Sequence, residues 1–304
     1  MAIQTGRATE SGRVGIDPDR CTVCGECAEI CPSETLSVGE NRISINYDAI
    51  FGCIGCGQCM AVCPEECISV TGRDLSPDDM VPLPTATERA TFEQLHALLL
   101  ARRSARQFSS RDIEQPVIDK LVASISTAPM GIPPSDVEIL VIDKRAKVRE
   151  FGDDVTAVMK KSKPVLSLFA SQLARPFIGR QMQVSMKTFI LPLANFLVAS
   201  RKQGQDYLLY DAPLAMYFHS SSFSDPADAI IAATYATIAA ESLGLGSCMI
   251  GTIAPFISRS EPALKKWGIP IKNRQGIMVI FGYPTTRYRR AIKRRLARVH
   301  RAGS

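Results

Sequence analysis

The chain has 304 residues, 46% of them apolar, with 36 Lys/Arg against 30 Asp/Glu and a formal net charge of +6. That length and apolar content suffice for a sizeable buried core and for more than one domain. No run approaches the roughly 18 apolar residues of a membrane-spanning helix. Met1 to Gly15 is polar with arginines and lacks an apolar signal core, so the expectation is a soluble, cytoplasmic protein without a membrane partner.

Eight of the ten cysteines fall into two copies of one spacing, Cys21-x-x-Cys24-x-x-Cys27-x-x-x-Cys31-Pro32 and Cys53-x-x-Cys56-x-x-Cys59-x-x-x-Cys63-Pro64. Three thiolates within seven residues wrap one corner of an iron–sulfur cubane, and the fourth of such a run, turned away by its proline, reaches the other cluster. The expected ligand sets are therefore crossed: Cys21, Cys24, Cys27 and Cys63 for one 4Fe-4S cluster, and Cys53, Cys56, Cys59 and Cys31 for the other. A constant offset also pairs Gly25 with Gly57, Glu34 with Glu66, and Leu36-Ser37-Val38 with Ile68-Ser69-Val70, the mark of an internal duplication. Disulfides or zinc would call for a secreted context or longer gaps between ligand pairs. Cys67 falls where the first copy has Thr35, outside the ligand set, and reads as a small packed thiol. Residues 15–72 resemble the bacterial two-cluster ferredoxins, a small α+β unit in which clusters replace much of the core.

Charge divides unevenly along the chain. Residues 1–74 carry 5 Lys/Arg and 11 Asp/Glu, net −6, which leaves the remainder at +12. Opposite charge of this kind draws two modules together at short range.

The next segment, 73–90, has prolines at 77, 82 and 84 and reads as a semi-extended linker between a first domain, 1–72, and a second, 91–304. Thr91 and Gln94 have capping-box spacing ahead of the helical pattern Phe92, Leu95, Leu98, Leu99. Arg102-Arg103-Ser104-Ala105-Arg106 follows; guanidinium forks and a hydroxyl suit an anion cradle, and the bland alternative is a solvated basic helix end. Pro116 opens a second helix at its first position, with Val117, Ile118, Leu121, Val122 and Ile125 on one face, and Pro129 closes it. Strands are expected at Val137–Ile142, Leu214–Phe218 and Ile277–Phe281, with helical patterns between them too long for a meander. Between Gln172 and Tyr210, Phe177, Met182, Met186, Phe189, Ile190, Leu193, Phe196 and Leu197 mix with Arg175, Arg180, Lys187, Arg201 and Lys202. This stretch is either ordinary core or a cover over a ligand site.

His219, at a strand end, is either satisfied by its neighbours or a proton donor facing a pocket. His96 and His300 read as surface residues. Asp225-Pro226 starts a helix through Leu243 that is apolar nearly all round, central to the core or buried between subunits. Cys248 has the setting of an inert buried thiol. Beyond Glu261 no acidic residue remains, and eight Lys/Arg crowd residues 287–301. That tail reads as solvated, as a phosphate clamp, or, without aromatic platforms or a recognised motif to support it, as a surface for nucleic acid or membrane.

Residues 91–297 resemble the flavin-dependent nitroreductase family. The similarity rests on Arg102-Arg103-Ser104-Ala105-Arg106-Gln107-Phe108, Ala128-Pro129-Met130-Gly131, Asp211-Ala212-Pro213, Gly244-Leu245-Gly246-Ser247-Cys248-Met249-Ile250-Gly251 and Gly282-Tyr283-Pro284. With the amino-terminal module, the chain looks like the ferredoxin-fused nitroreductases. The resemblance implies an α+β fold, a homodimer and an FMN at the subunit interface. Arg102 and Ser104 would meet its phosphate and ribityl chain and Arg106 its pyrimidine edge, with Arg103 also among the cofactor-binding residues. Pro129, Met130 and Gly131 would border it, Met249, Ile250 and Gly251 would present backbone to the ring, and Arg294 would close on the phosphate. The chain departs from the family after Ala128-Pro129. Many members carry there a Ser/Asn-rich segment ending Gln-Pro-Trp, whose asparagine bonds the flavin; here the sequence is Met130-Gly131-Ile132-Pro133-Pro134-Ser135, leaving backbone or Ser135 for that role.

The implied activity is reduction of a flat, electron-poor acceptor such as a nitroaromatic, quinone or activated alkene, with electrons from a ferredoxin or NAD(P)H. A relay or redox sensor without turnover is the alternative. No G-x-G-x-x-G fingerprint follows a strand.

Overall fold

The computed structural model describes residues 2–48, 51–162, 175–273 and 275–303. Gln172, in the mixed apolar and basic stretch, lies outside these residues, as do the side chains of Arg175 and Phe177.

Two short antiparallel ribbons frame the amino-terminal module. Strand β1 (Arg13–Ile16) pairs with β4 (Ile68–Thr71), and β2 (Leu36–Val38) with β3 (Ile43–Ile45). Between them lie helices α1 (Glu26–Glu29) and α2 (Gln58–Val62). The duplication extends to the backbone. Gly25 and Gly57 precede the two helices at φ +87° and +73°, where glycine is unstrained, and a second repeat pair, Glu34 and Glu66, also sits left-handed at +53° and +48°. Val14, Leu36, Ile43, Met60, Ile68 and Val70 form a small core that the cysteines complete.

The second domain is a helix–sheet–helix sandwich. Its sheet runs β5 (Glu138–Ile142), β6 (Leu214–Ser220), β8 (Gln275–Gly282), β7 (Gly246–Ile250), antiparallel throughout. Side chains of a strand alternate between faces, so β6 is buried along its whole length. Leu214, Met216 and Phe218 join a core with helices α4 (Gln115–Ile125) and α8 (Pro226–Ser242), while Ala215 and Tyr217 join another with α5 (Arg145–Ser162) and α7 (Leu191–Lys202). Pro116 stands at the second helical position of α4, after Gln115, with Glu114 at the cap; its missing N–H is harmless anywhere in the first turn.

Three elements add to the sequence reading. Strand β7, paired with β8, lies where that reading names no strand. Helix α8 is core on one side only: Ala229, Ala232, Ala233, Ala236 and Ala240 are buried, whereas Ile230 is exposed. The 172–210 stretch resolves into α6 (Arg175–Ser185), broken at Gly179, a π-helical turn Met186–Ile190, and α7. One stripe of α7, Ala194, Leu197 and Val198, packs in the core beside α5, while Met182, Val184, Phe189 and Phe196 stay exposed. Within it Gly179–Lys202 is long and apolar enough to cross a membrane by length and composition, with 17% of its most apolar window buried. That corrects the expectation of no such segment, since scattered charges interrupt the run without removing its average hydropathy.

Helix α3 (Phe92–Ala101) carries the expected capping box, Thr91 with Gln94, yet buries none of its residues. The tail 285–303 is exposed and without regular structure apart from isolated turns. The two domains meet through an amino-terminal arm and Arg73. Gly6 N–H donates to Asp136 Oδ2 (2.8 Å), Arg7 to Ser135 O (3.1 Å) and Arg73 Nη2 to Pro133 O (2.6 Å). These contacts engage backbone carbonyls and one carboxylate, a more local device than the charge difference between the modules.

Candidate functional site

The fold gathers the cysteines into two rings. Cys21, Cys24, Cys27 and Cys63 line one cavity, and Cys31, Cys53, Cys56 and Cys59 line a second. This is the crossed arrangement expected from the repeat. Among the described residues no three His, Cys, Asp or Glu converge as ligands of a single metal ion. Four cysteines lining each cavity are the donor set of one 4Fe-4S cubane.

Electrostatics agree with that chemistry. Burial, then the neighbouring Cys53 and Cys56 thiols, pushes Cys59 up to about 12. Burial, then Cys24 and Cys21, likewise raises Cys27. Crowded thiols of this kind ionise together only when metal cations supply compensating charge. Cys67 lies in the first ring's wall with its sulfur 3.5 Å from that of Cys63, and burial followed by that contact pushes it up to about 12.

In the second domain, α3 ends at Arg102, and residues 104–109 run on as an extended strip. Ala105 N–H donates to Ser247 O (2.9 Å), Ser109 N–H to Tyr283 O (2.9 Å), and Thr285 N–H to Gln107 O (3.1 Å). The strip is thus held between β7 and the segment after β8. Gly246 permits this, because a Cβ there would stand 2.5 Å from Ala105 Cβ and 3.1 Å from Pro284 Cβ. A Cβ on Gly282 would similarly meet the Phe108 ring at 2.7 Å.

Alternation along the strip sends its side chains to two cavities. One, about 450 Å³, is lined by Arg103, Ala105, Glu241, Gly246, Arg287, Arg289 and Arg290, with Arg103 over the Tyr288 ring at 5.8 Å. The other, about 700 Å³, is lined by Arg106, Arg149, Arg201, Asp206, Tyr207 and Tyr210, with Arg106 over the Tyr210 ring at 5.7 Å. Tyr210 and Asp211 are both left-handed, at φ +55° and +53°. Asp206 holds that bend by accepting from Leu208, Leu209 and Asp211 N–H, and Arg145 and Arg149 pair with Asp211.

Cys248 is buried at the junction. Burial raises its thiol, while Arg106, the Ser104 hydroxyl and Arg102 draw it back. Met249 packs against the α4/α8 core, Ile250 is buried, and Gly251 forms an open turn at the far end of β7.

The remaining candidates separate. Arg294 lies on the exposed tail and, among the described residues, does not line the cavity that Arg287, Arg289 and Arg290 reach. The sequence signal for those three was their nearness to Gly282-Tyr283-Pro284. Pro129 is exposed, Met130 packs in the core, and Gly131 N–H is taken by Asp228 Oδ1 (3.2 Å). Ser135 Oγ lies 3.3 Å from Met130 Sδ and accepts from Val137 N–H. His219 is 3% exposed and bonded through Nδ1 to Asn273 Nδ2 (3.0 Å); burial lowers its pKa, with Glu138 opposing. It is a satisfied, neutral histidine of the sheet.

Comparison with known proteins places these features. The Nitroreductase family model matches residues 99–283, and a 4Fe-4S dicluster domain model matches residues 13–70. No curated protein matches the chain. Among solved structures, an FMN-bound nitroreductase from Bacteroides fragilis is 18% identical, covering 69% of this chain and 96% of its own, at a TM-score of 0.46. One from Desulfitobacterium hafniense, also with FMN, is 17% identical over 68% of this chain and 98% of its own, at 0.48. A putative NADH dehydrogenase/NAD(P)H nitroreductase from Bacteroides thetaiotaomicron is 20% identical over 68% and 96%, at 0.45.

Proposed function

This chain belongs to the nitroreductase family, and on that premise we propose that it is an FMN oxidoreductase fed by two 4Fe-4S clusters, reducing a small electron-poor acceptor such as a nitroaromatic, quinone or activated alkene. The observation that carries the reading is the strip 102–106 pinned along β7, which sends Arg103 to one arginine-lined cavity and Arg106 to another. When bound, the clusters carry single electrons and the FMN couples them to two-electron reduction of the acceptor.

The chain's own residues divide the work of holding these groups. The cysteine rings supply eight thiolates. Arg103 with Arg287, Arg289 and Arg290 forms a phosphate clamp, since planar forks bind phosphate bidentately. Arg102, Ser104 and Arg106 orient the rest of the cofactor, and the Arg106 cation opposes negative charge that builds on a reduced ring.

Exposed Phe92, Leu95, Leu99 and Leu100 on α3, with Ile230 on α8, form an apolar surface suited to a second copy of the chain. A homodimer would cover it. Reduced thiolates await metal most safely in the cytoplasm, where we place the protein.

Anaerobic reductive titration tests the reading, with cluster and flavin absorbance followed separately against ferredoxin-type and NAD(P)H donors. Stoichiometric product from an electron-poor acceptor is the expected outcome. Reducible cofactors without steady turnover of any acceptor class would instead establish a relay.

A further inference from the structure

Arg73 is the most heavily engaged side chain at the junction of the two domains. It is 7% exposed, and its guanidinium donates to Ile54 O (3.0 Å), Ile3 O (2.8 Å), Glu10 O (2.9 Å) and Pro133 O (2.6 Å). Those four carbonyls belong to the second cysteine ring, the amino-terminal arm and the second domain. Its stem lies across Gly55: a Cβ on that glycine would stand 3.0 Å from Arg73 Cβ and 3.3 Å from Cδ. Arg73 itself is left-handed, at φ +53°.

The partners are also unusual for a buried cation. The partly buried Arg145 and Arg201 pair with carboxylates, whereas the hydrogen bonds of Arg73 among the described residues end on neutral carbonyls. An arginine taken out of water without a carboxylate is costly unless another anion lies near. Ile54, which Arg73 grips, lies between Cys53 and Cys56, two cysteines of the second ring. A cubane held by four thiolates is an anion that gains one further negative charge on reduction. The first ring, in contrast, includes the exposed Cys24.

We propose that Arg73 is a positioning residue that docks the cluster of Cys31, Cys53, Cys56 and Cys59 against the 130–136 segment of the second domain and, by its charge, favours the reduced form of that cluster over the other. The inference rests on the cluster and FMN reading above. With both clusters bound, it would favour a direction: an electron entering at the ring containing exposed Cys24 would pass to the ring beside Arg73, the first cluster oxidised as the second is reduced. Gly6 and Arg7, bonded to Asp136 and Ser135, brace the same junction.

The test uses the full chain loaded with iron, sulfide and FMN, as parent, Arg73→Gln and Arg73→Lys. Potentiometric titration followed by electron paramagnetic resonance reads the two clusters, and amide hydrogen exchange reads the junction. Arg73→Gln should lower the potential of one cluster only, the one whose signal Cys56→Ser perturbs. It should also speed exchange across residues 3–10 and 130–136 by roughly 10- to 150-fold, the range for losing a charged hydrogen bond. Arg73→Lys keeps the charge but not the fork, so it should hold the potential near the parent while loosening the same amides. Unchanged potentials in Arg73→Gln, or a shift confined to the cluster that Cys24→Ser perturbs, overturn the inference. FMN content is measured alongside: an iron-loaded parent without FMN would overturn the proposed function, while the Arg73 comparison still decides the docking role.

Discussion

Replacing Gly246 by Ala adds one methyl at the point where the 104–109 strip crosses β7. The new Cβ would stand 2.5 Å from Ala105 Cβ, 3.1 Å from Pro284 Cβ and 3.5 Å from Pro284 Cγ. Carbon atoms in contact prefer about 3.5–4.0 Å, so the strip must retreat by about 1 Å. Neither neighbour is a flexible tip that could swing aside. Overpacking of this kind costs about 1–3 kcal/mol, and each kcal/mol lowers the melting temperature of a domain this size by about 2–4 °C. The retreat also breaks the Ala105 N–H bond to Ser247 O (2.9 Å) that fixes Ser104 and its flanking arginines. FMN affinity should therefore fall along with stability, by about tenfold for every 1.4 kcal/mol of lost positioning. Gly268→Ala provides the control. Gly268 sits at φ +66°, and a Cβ there would meet nothing within 4 Å, so alanine meets backbone strain of about 1–2 kcal/mol and no clash, away from both cavities. It should lower the melting temperature and leave FMN affinity at the parent value. Thermal melts of flavin-free protein and fluorescence titration with FMN measure both. A Gly246→Ala protein that melts with the parent, or a Gly268→Ala protein that loses flavin as severely, would refute the steric argument.

Arg102→Ala should weaken FMN roughly 10- to 150-fold, the value of a charged bidentate contact of about 1.5–3 kcal/mol, measured by the same titration. Anaerobically prepared protein should contain about eight irons per chain, and Cys67→Ser should leave that number unchanged, because Cys67 borders the first ring without completing it. A chain beginning at Thr85 should fold, bind FMN and lose reduction by a ferredoxin-type donor while its flavin still accepts electrons from dithionite; equal rates with ferredoxin would remove the clusters from the path. His219 is held neutral, its pKa lowered by burial below the usual 6.5. The unfolded chain therefore takes up a proton that the folded one refuses. Stability from this site is present above about pH 6.5 and lost as pH falls below it, and His219→Gln should flatten that slope in urea melts at pH 5 to 7.

The sequence was most legible where chemistry fixes spacing. Ligands of a cubane must arrive at set intervals along the chain, so both cysteine rings could be written from the repeat, and the left-handed Gly25 and Gly57 follow from the same duplication. The Thr91–Gln94 capping box and the Asp225 cap, which accepts from Ala227 N–H (2.7 Å), were equally local. Strand β7 was not, because Gly246-Ser247-Cys248 has little intrinsic strand preference and becomes a strand through pairing with β8 and the 104–105 strip. Among the tail arginines, composition could not single out Arg287, Arg289 and Arg290, since reach depends on where Pro284 leaves the sheet. Arg73 gave no sequence signal at all: a single arginine near a linker acquires its role from four carbonyls that are distant in the chain.

The one place where the chain departs from the pattern of the family it resembles is also where the added module is seated. Across residues 130–136, Met130 packs in the core, Gly131 N–H is held by Asp228, and Pro133 O receives Arg73. Ser135 O receives Arg7, and Asp136 receives both Gly6 N–H and the Ser221 hydroxyl. Polar groups committed in this way are costly to release, because each would be left unpaired at a buried or half-buried junction. A segment so engaged keeps little freedom to close over a flavin.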